Sequence, residues 1–307
     1  MKITIIGHSL VHPRQYFFAQ AIRELGHEVQ EIYPSRWFNL TREGGYEVDF
    51  TKGIAGYTFP EKAFYDIEKF GPDVIYSMSE VWQAQTLLSV NWARRLNTKC
   101  VLFVWENKDL HFFEVPKGTY VIAGNSEAAK LHNTQYILPQ VGLNTDLFKP
   151  MEVDKEYDLI YVGREVEEKG INYIKNSAEK LNLKLLIVSN KRYEDIPELL
   201  NKSRVMVSYP FETNFWKPQF EYNLAEAMSC GLPVITSNAG SIPDVYFSSP
   251  AIIIPQRDQY MLTKTIKTII NDKKRMMNLG EAGVKWVRYN LSNKIIAKRL
   301  IQIFEEI

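Results

Sequence analysis

The stretch "WKPQFEYNLAEAMSCGLPVITSNAG", residues 216–240, decides how the chain folds. From Asn223 to Cys230 it has the composition of a helix packed tightly on a sheet, with Ala227 and Met228 beside one acid, Glu226. Gly231 stops that helix, and Pro233 opens "PVITS", an apolar run that reads as a buried strand. Helix, glycine stop and buried strand are the repeating unit of an α/β protein.

The same unit recurs outward. "DLIYVG" (158–163), "KLLIVS" (184–189), "VMVSYP" (205–210) and "AIIIP" (251–255) are near-continuous apolar runs, as expected of parallel strands buried on both faces. An earlier set starts with "KITIIG" (2–7). A helix from Arg14 to Leu25 follows, with Phe18, Ala21, Ile22 and Leu25 on its apolar face and Gly26 as its stop. "HEVQEIY" (27–33), "DVIYSM" (73–78), "CVLFVW" (100–105) and "TYVIAG" (119–124) predict further strands, and "QYILP" (135–139) closes the set. Between the two sets "PQVGLNTDLFKP" (139–150) is turn-rich, which predicts the crossing into a second domain. After Ser292, a plausible N-cap, Ile296, Leu300, Ile303 and Ile307 recur at helical spacing. The expected fold class is α/β, with two Rossmann-like doubly wound domains at 1–150 and 151–290 facing across a cleft. A ligand would bind in that cleft, at the carboxyl ends of the strands.

Bulk composition narrows the function. At 45% hydrophobic and 24% charged residues the chain has the make-up of a soluble globular protein. A net charge of +1 gives no electrostatic argument for nucleic acid as a partner. Cys100 and Cys230 sit in apolar surroundings and read as buried thiols, which fits a reducing compartment. No apolar run approaches the roughly 20 residues of a membrane span. The opening "MKITIIGHSLVHP" is too short in its apolar part for a signal peptide and reads as a first strand. A cytoplasmic protein is expected.

Two segments carry candidate chemistry. In "YVGREVEEKGINYI" (161–174) a strand ends at Gly163, and a helix begins near Lys169 and Gly170. Backbone N–H groups at a helix start favour anions, and Arg164 and Lys169 add fixed positive charge. Together they could hold a diphosphate and neutralise it as a leaving group; the bland alternative is a solvated strand–loop–helix. Glu226 is an acid inside an apolar helix and needs a partner. A ribose diol and a salt bridge to a nearby Lys or Arg are both open.

At these residues the sequence resembles the family-4 retaining glycosyltransferases of the GT-B fold. The likeness rests on "YVGREVEEKG", "EAMSCGLPVITSNAGSIPDV" (226–245), "PQVGLNTDLFKP" and "VIAGNSEAAKL" (121–131). "VWENKDLHFF" (104–113) and "FWKPQF" (215–220) resemble a subgroup of that family. The resemblance implies sugar transfer from a nucleotide donor with retention at the anomeric carbon, and no metal or other cofactor. It implies Arg164 and Lys169 on the donor diphosphate, and Glu226 on the ribose. Gly163 lies at that strand end, and the backbone around Gln219, Phe220, Glu221 and Tyr222 would approach the donor sugar and distal phosphate. The N-terminal domain would take the acceptor, and the C-terminal helix, 291–307, would cross back onto it.

The chain departs from the family pattern in three places. The first of two spaced glutamates is replaced by Pro218, which offers no side-chain acceptor and no N–H. Glu221 stands where the family usually has glycine, either pointing into the cleft to replace the missing acid or facing solvent. After the first strand, "GHSLVHPRQ" replaces a Gly-Gly pair, leaving Gly7, His8 and Ser9 as candidate phosphate or acceptor contacts. At the end of "CVLFVW", Glu106 and Asn107 are candidates for holding sugar hydroxyls, with Glu106 as a base toward the acceptor. The alternative is local turn capping in a segment that also contains Lys108. His111 reads as structural or exposed.

A basic stretch is left over. Lys273, Lys274, Arg275, Lys285, Arg288, Lys294, Lys298 and Arg299 stand against a single acid, Glu281, with Trp286 and Tyr289 interleaved. Region 273–299 is a candidate for resting on an anionic inner-membrane surface; a solvated helix face is the plainer reading. The leading function is a retaining glycosyltransferase. A GT-B protein that binds sugar nucleotides without transfer is the alternative, with Pro218 as its sequence feature. An epimerase or phosphorylase ranks third. A dehydrogenase is disfavoured, because no GxGxxG follows a strand. Uridine and guanosine diphosphate sugars are both open as donors, and a glycan, lipid, protein or small molecule as acceptor, with a modified nucleic-acid base less favoured by the near-neutral charge.

Overall fold

The computed structural model describes residues 1–107 and 114–307. The chain forms two compact units. One comprises Met1–Gly142 with Asn293–Ile307, and the other Leu143–Ser292.

The first unit is built on a parallel sheet of β1 (Lys2–Ile6), β2 (Glu28–Ile32), β5 (Val74–Ser77), β6 (Lys99–Val104) and β7 (Tyr120–Ala123). The strand order is β2-β1-β5-β6-β7. β3 (Arg36–Trp37) and β4 (Leu40–Thr41) make a small antiparallel hairpin apart from it. β1 is an interior strand, with Ile3 paired to Val29 on one side and Val74 on the other. Ile3, Ile5 and Ile6 are fully buried, so the run is apolar without alternation. The order reverses between β1 and β5, and the loops leaving those strands open at a topological switch point. Helix Pro13–Glu24 begins on His12, whose ring accepts the Arg14 N–H at 3.2 Å, with proline at its first position.

"QYILP" is not a strand. Only Ile137 bridges to the sheet, at Ala123. The backbone of Ala123 is satisfied by Tyr136 and Leu138, and Pro139 lacks the N–H to continue a ladder. Helix Asn293–Glu306 packs on helix Pro13–Glu24, and the Phe304 ring meets Tyr76 with centroids 5.5 Å apart. Its buried face is Ile296, Ala297, Leu300, Ile301 and Phe304. Ile303 and Ile307 are only half-buried, because the apolar stripe follows the 3.6-residue turn through Phe304.

The second unit has a parallel sheet of β8 (Tyr157–Val162), β9 (Leu185–Val188), β10 (Ser203–Ser208), β11 (Val234–Ser237) and β12 (Ile252–Ile254). Its order is β12-β11-β10-β8-β9, with the switch point between β8 and β10. Most of the segment expected to be the crossing belongs to this unit. The Leu143 N–H donates to the Leu291 carbonyl at 2.7 Å. Phe148 is fully buried against Tyr193, and its carbonyl accepts the Ser229 hydroxyl at 2.6 Å. Asn201 donates to the Lys149 carbonyl and accepts the Met151 N–H. The unit therefore starts at Leu143, ahead of Pro150. It ends at Ser292, which divides the basic stretch: Lys273 to Arg288 lie on helix Lys273–Asn290, and Lys294, Lys298 and Arg299 on the last helix of the first unit.

Candidate active site

The second unit gathers the residues assigned to the donor. β8 ends at Val162, and the chain turns at once. Tyr161 donates its hydroxyl to the Arg164 carbonyl at 2.6 Å, folding the loop back on the strand. A Cβ on Gly163 would lie 2.9 Å from that hydroxyl oxygen, which leaves little room for a side chain. The Val162 carbonyl accepts from the Asn223 amide at 2.8 Å, tying the strand end to the first turn of helix Tyr222–Ser229. The Arg164 side chain is exposed.

Lys169 ends a single 3-10 turn, Glu167–Lys169, and Gly170 follows at φ 69°. A Cβ on Gly170 would stand 1.8 Å from the Tyr209 carbonyl oxygen beyond the end of β10, so only glycine lets the start of helix Ile171–Lys180 come this close to that strand end. The Lys169 ammonium lies 2.5 Å from Glu221 Oε1 and 4.7 Å from the centre of the Trp216 ring.

Glu221 therefore neither faces solvent nor stands alone: it is buried on Lys169. It precedes helix Tyr222–Ser229, makes no capping bond to it, and accepts the Tyr246 hydroxyl on its backbone carbonyl at 2.7 Å. Burial raises the Tyr246 phenol well above its usual range, and Glu221 adds to this. Phe220 stacks on Tyr222 with centroids 4.3 Å apart, and Gln219 is half-buried beside them. Pro218 is buried. Its carbonyl accepts the Ser241 N–H at 3.0 Å, and a Cβ on Gly240, at φ 51°, would meet that oxygen at 2.2 Å. Glu226 is buried one turn into the helix. Burial raises the Cys230 thiol, and the Glu226 charge raises it further.

The acceptor-side candidates lie in the first unit, beyond the carboxyl ends of β1 and β6. Gly7 donates its N–H to the Ile32 carbonyl at 3.0 Å. His8 packs its ring on Trp37 at 4.3 Å, and its Nδ1 is 3.1 Å from the Tyr57 hydroxyl. Burial lowers the imidazole to about 4, so it is neutral near pH 7. Tyr57 donates onward to Gln85 Oε1 at 3.2 Å, so His8 is satisfied with its proton on Nδ1 and Nε2 left to accept. Ser9 directs its hydroxyl toward the Met78 sulfur at 4.0 Å. Glu106 is half-buried and Asn107 buried. Lys108 and His111 lie outside the described residues.

One acid escaped the sequence reading. Glu80 follows β5, between the Gly7–Ser9 and Glu106–Asn107 groups in sheet order. Its Oε1 accepts the backbone N–H groups of Trp105 at 2.9 Å and Glu106 at 3.1 Å, while Oε2 is buried without a partner among the described residues. Burial pushes its carboxyl up to about 7 against the pull of those two bonds, and the Glu106 charge adds to the rise. The available signal was a lone acid directly after the strand "DVIYSM", in "SMSEVW" (77–82). Elsewhere, an open cavity of about 580 Å³ lined by Thr119, Tyr120, His132, Thr134 and Tyr136 contains none of the candidate site residues. Among the described residues no group of three or more His, Cys, Asp or Glu is placed to hold a metal ion, and no helix is long and apolar enough to cross a membrane.

Comparison with known proteins bears on the fold and on the second unit. Residues 172–286 match the family of glycosyl transferases group 1. The matched region includes Pro218, Glu221 and Glu226, and begins just after Arg164 and Lys169. No curated protein matches the sequence. Solved structures match over the whole length. Sucrose-phosphate synthase from Thermosynechococcus elongatus aligns at TM-score 0.70 and 16% identity, covering 100% of this chain and 98% of that one. Anabaena Alr3699/HepE in complex with UDP aligns at 0.72 and 13%, covering 100% of both. An alpha-glucosyltransferase in complex with UDP and a 13-mer DNA containing a HMU base aligns at 0.66 and 12%, covering 99% of both. The fold is that of these GT-B structures, and the glycosyl transferases group 1 match lies wholly in the second unit.

Proposed function

We propose that the protein is a retaining glycosyltransferase that moves a sugar from a nucleoside-diphosphate sugar to an acceptor hydroxyl without a metal ion. The observation that carries this reading is the placement of Lys169 beside the start of helix Tyr222–Ser229, with Arg164 at the end of β8 and Glu226 buried in that helix. A fixed cation and a helix N-terminus stabilise the charge that develops on a departing diphosphate. Arg164 is the second cation for that role, Glu226 the acceptor for the ribose hydroxyls, and the 219–222 backbone the neighbour of the donor sugar. Catalysis is then positioning plus leaving-group stabilisation. The acceptor hydroxyl attacks from the face the diphosphate leaves, and a phosphate oxygen takes its proton.

The first unit supplies the acceptor side through Gly7, His8, Ser9, Glu106 and Asn107, with Glu106 as the alternative to the phosphate oxygen as base. Its acceptor is a glycan, lipid, protein or small molecule. One aligned structure contains DNA, but a net charge of +1 does not favour nucleic acid here. Two buried free thiols, Cys100 and Cys230, suit a cytoplasmic setting. The basic helix Lys273–Asn290 is the part that would meet an anionic membrane surface.

The test is a thermal-shift panel of nucleotides and nucleotide sugars, followed by turnover with candidate acceptors, with and without chelator, and NMR of the product's anomeric configuration. Stabilisation by one nucleoside diphosphate and a product of retained configuration are expected. No shift with any nucleotide sinks the reading. A second reading, a binding protein without transfer, is favoured by Pro218 at the family's acidic position. Tight donor binding with no turnover on any acceptor would select it.

A further inference from the structure

Glu221 and Lys169 form a shielded ion pair, with side chains only 8% and 16% exposed. Shielding matters, since exposed pairs contribute little and buried ones hold firmly once made. The lysine is fixed from two sides, by the Glu221 carboxylate and by the Trp216 ring face. The glutamate backbone is fixed too, through the Tyr246 hydroxyl on its carbonyl. Only the Glu221 side chain is left to move. It stands directly before helix Tyr222–Ser229, where the helix dipole also attracts a phosphate. One cation and one helix start thus serve two anions, one built into the chain and one brought by the donor.

We infer that Glu221 is an internal counter-anion that the donor's diphosphate must displace from Lys169, and that it therefore sets the affinity and phosphate selectivity of the site. This rests on the donor reading of Lys169. It also separates two roles for the acid. A group that replaces the missing carboxylate at Pro218 would act on the sugar, whereas a counter-anion acts on the phosphates. In the ligand-free protein the pair keeps Lys169 extended over Trp216, ready for an anion. On binding, the carboxylate swings off, and its repulsion of the phosphates lowers affinity for every nucleotide in proportion to phosphate charge.

Calorimetric titration of UDP, GDP, uridine and guanosine into the wild type, Glu221→Gln, Glu221→Gly and Lys169→Met tests this. The glutamine and glycine variants should each bind the preferred diphosphate about tenfold more tightly, with nucleoside binding unchanged. In a Lys169→Met background Glu221→Gln should give a much smaller gain, since the two residues act as one unit. Equal or weaker diphosphate binding by both variants overturns the inference and leaves the donor reading intact. So does a variant that, in a parallel titration with a UDP-sugar, binds UDP as the wild type does but the UDP-sugar more weakly, which would assign Glu221 to the sugar. Failure of all four ligands with wild type and variants alike overturns the donor reading itself. Melting temperatures of each variant report whether the unit is folded, and Glu221→Gly guards against a misfolded Glu221→Gln.

Discussion

Glu80 holds Glu106 through the backbone, accepting its N–H at 3.1 Å on the same carboxyl oxygen that accepts Trp105 at 2.9 Å. The acceptor-side candidate Glu106 is thereby positioned by an acid buried after the neighbouring strand. This carboxyl titrates at about 7, raised from its ordinary 4.5. A raised acid binds its proton more tightly in the folded state, so its contribution to stability is largest below 4.5. That contribution is lost as pH climbs from 4.5 to 7, by about 3 kcal/mol. Glu80→Gln keeps an acceptor and removes the titration. Its melting temperature relative to wild type should therefore rise between pH 5 and pH 8. A difference that is flat with pH would show that Glu80 is not protonated near neutrality.

Gly170→Ala should destabilise the second unit. The substitution needs a left-handed backbone and places a Cβ 1.8 Å from the Tyr209 carbonyl oxygen, a backbone atom at the end of the neighbouring strand. A cost of about 2–4 kcal/mol is expected, read from urea unfolding, with nucleotide affinity falling in parallel. Gly26→Ala at φ 88°, where no atom lies within 4 Å, is the control with the strain but without the clash.

Lys169→Ala and Arg164→Ala should each lower turnover at saturating donor, Lys169→Ala by roughly 10²–10³-fold, as expected when a charge-stabilising group is removed. Glu226→Ala should chiefly weaken nucleotide affinity and leave the rate at saturation nearer wild type. Rapid-quench measurements at saturating donor separate the two effects. A Lys169→Ala enzyme with wild-type turnover would remove Lys169 from the leaving-group role.

Pro218→Glu should shift donor preference and leave the enzyme active. The proline carbonyl already serves the Ser241 N–H and packs on Gly240, so the exchange leaves that bond in place and adds an acid to the donor side. A panel of kcat/KM values across UDP- and GDP-sugars checks it. Equal values for the two proteins would show that position 218 does not read the sugar.

Most strands of the two sheets were legible because they are buried on both faces and so appear as near-continuous apolar runs; β2, "EVQEI", is the mixed and partly exposed exception. "KITIIG" and "DLIYVG" needed no more than that. "QYILP" has the same look and fails, since a run of Ile137 and Leu138 does not reveal that only one residue reaches the sheet edge. The last helix was legible as a helix but not in its phase beyond Leu300, where Phe304 takes the core place expected of Ile303. At the site, motif residues could be named one at a time, but their pairing could not. Lys169 and Glu221 are 52 positions apart, and Glu80 acts on N–H groups 25 and 26 positions away. Such contacts depend on how strand ends are arranged in space, which periodicity does not encode.

The return of residues 293–307 to the first unit has a consequence for biosynthesis. Tyr76 and helix Pro13–Glu24 emerge from the ribosome long before Phe304 and Ile296, the side chains that cover them. The first unit therefore waits, with part of its apolar surface open, while the whole of the second is being translated. The second unit is contiguous in sequence, so all of its residues are available once Ser292 has been made, before the first unit has its last helix.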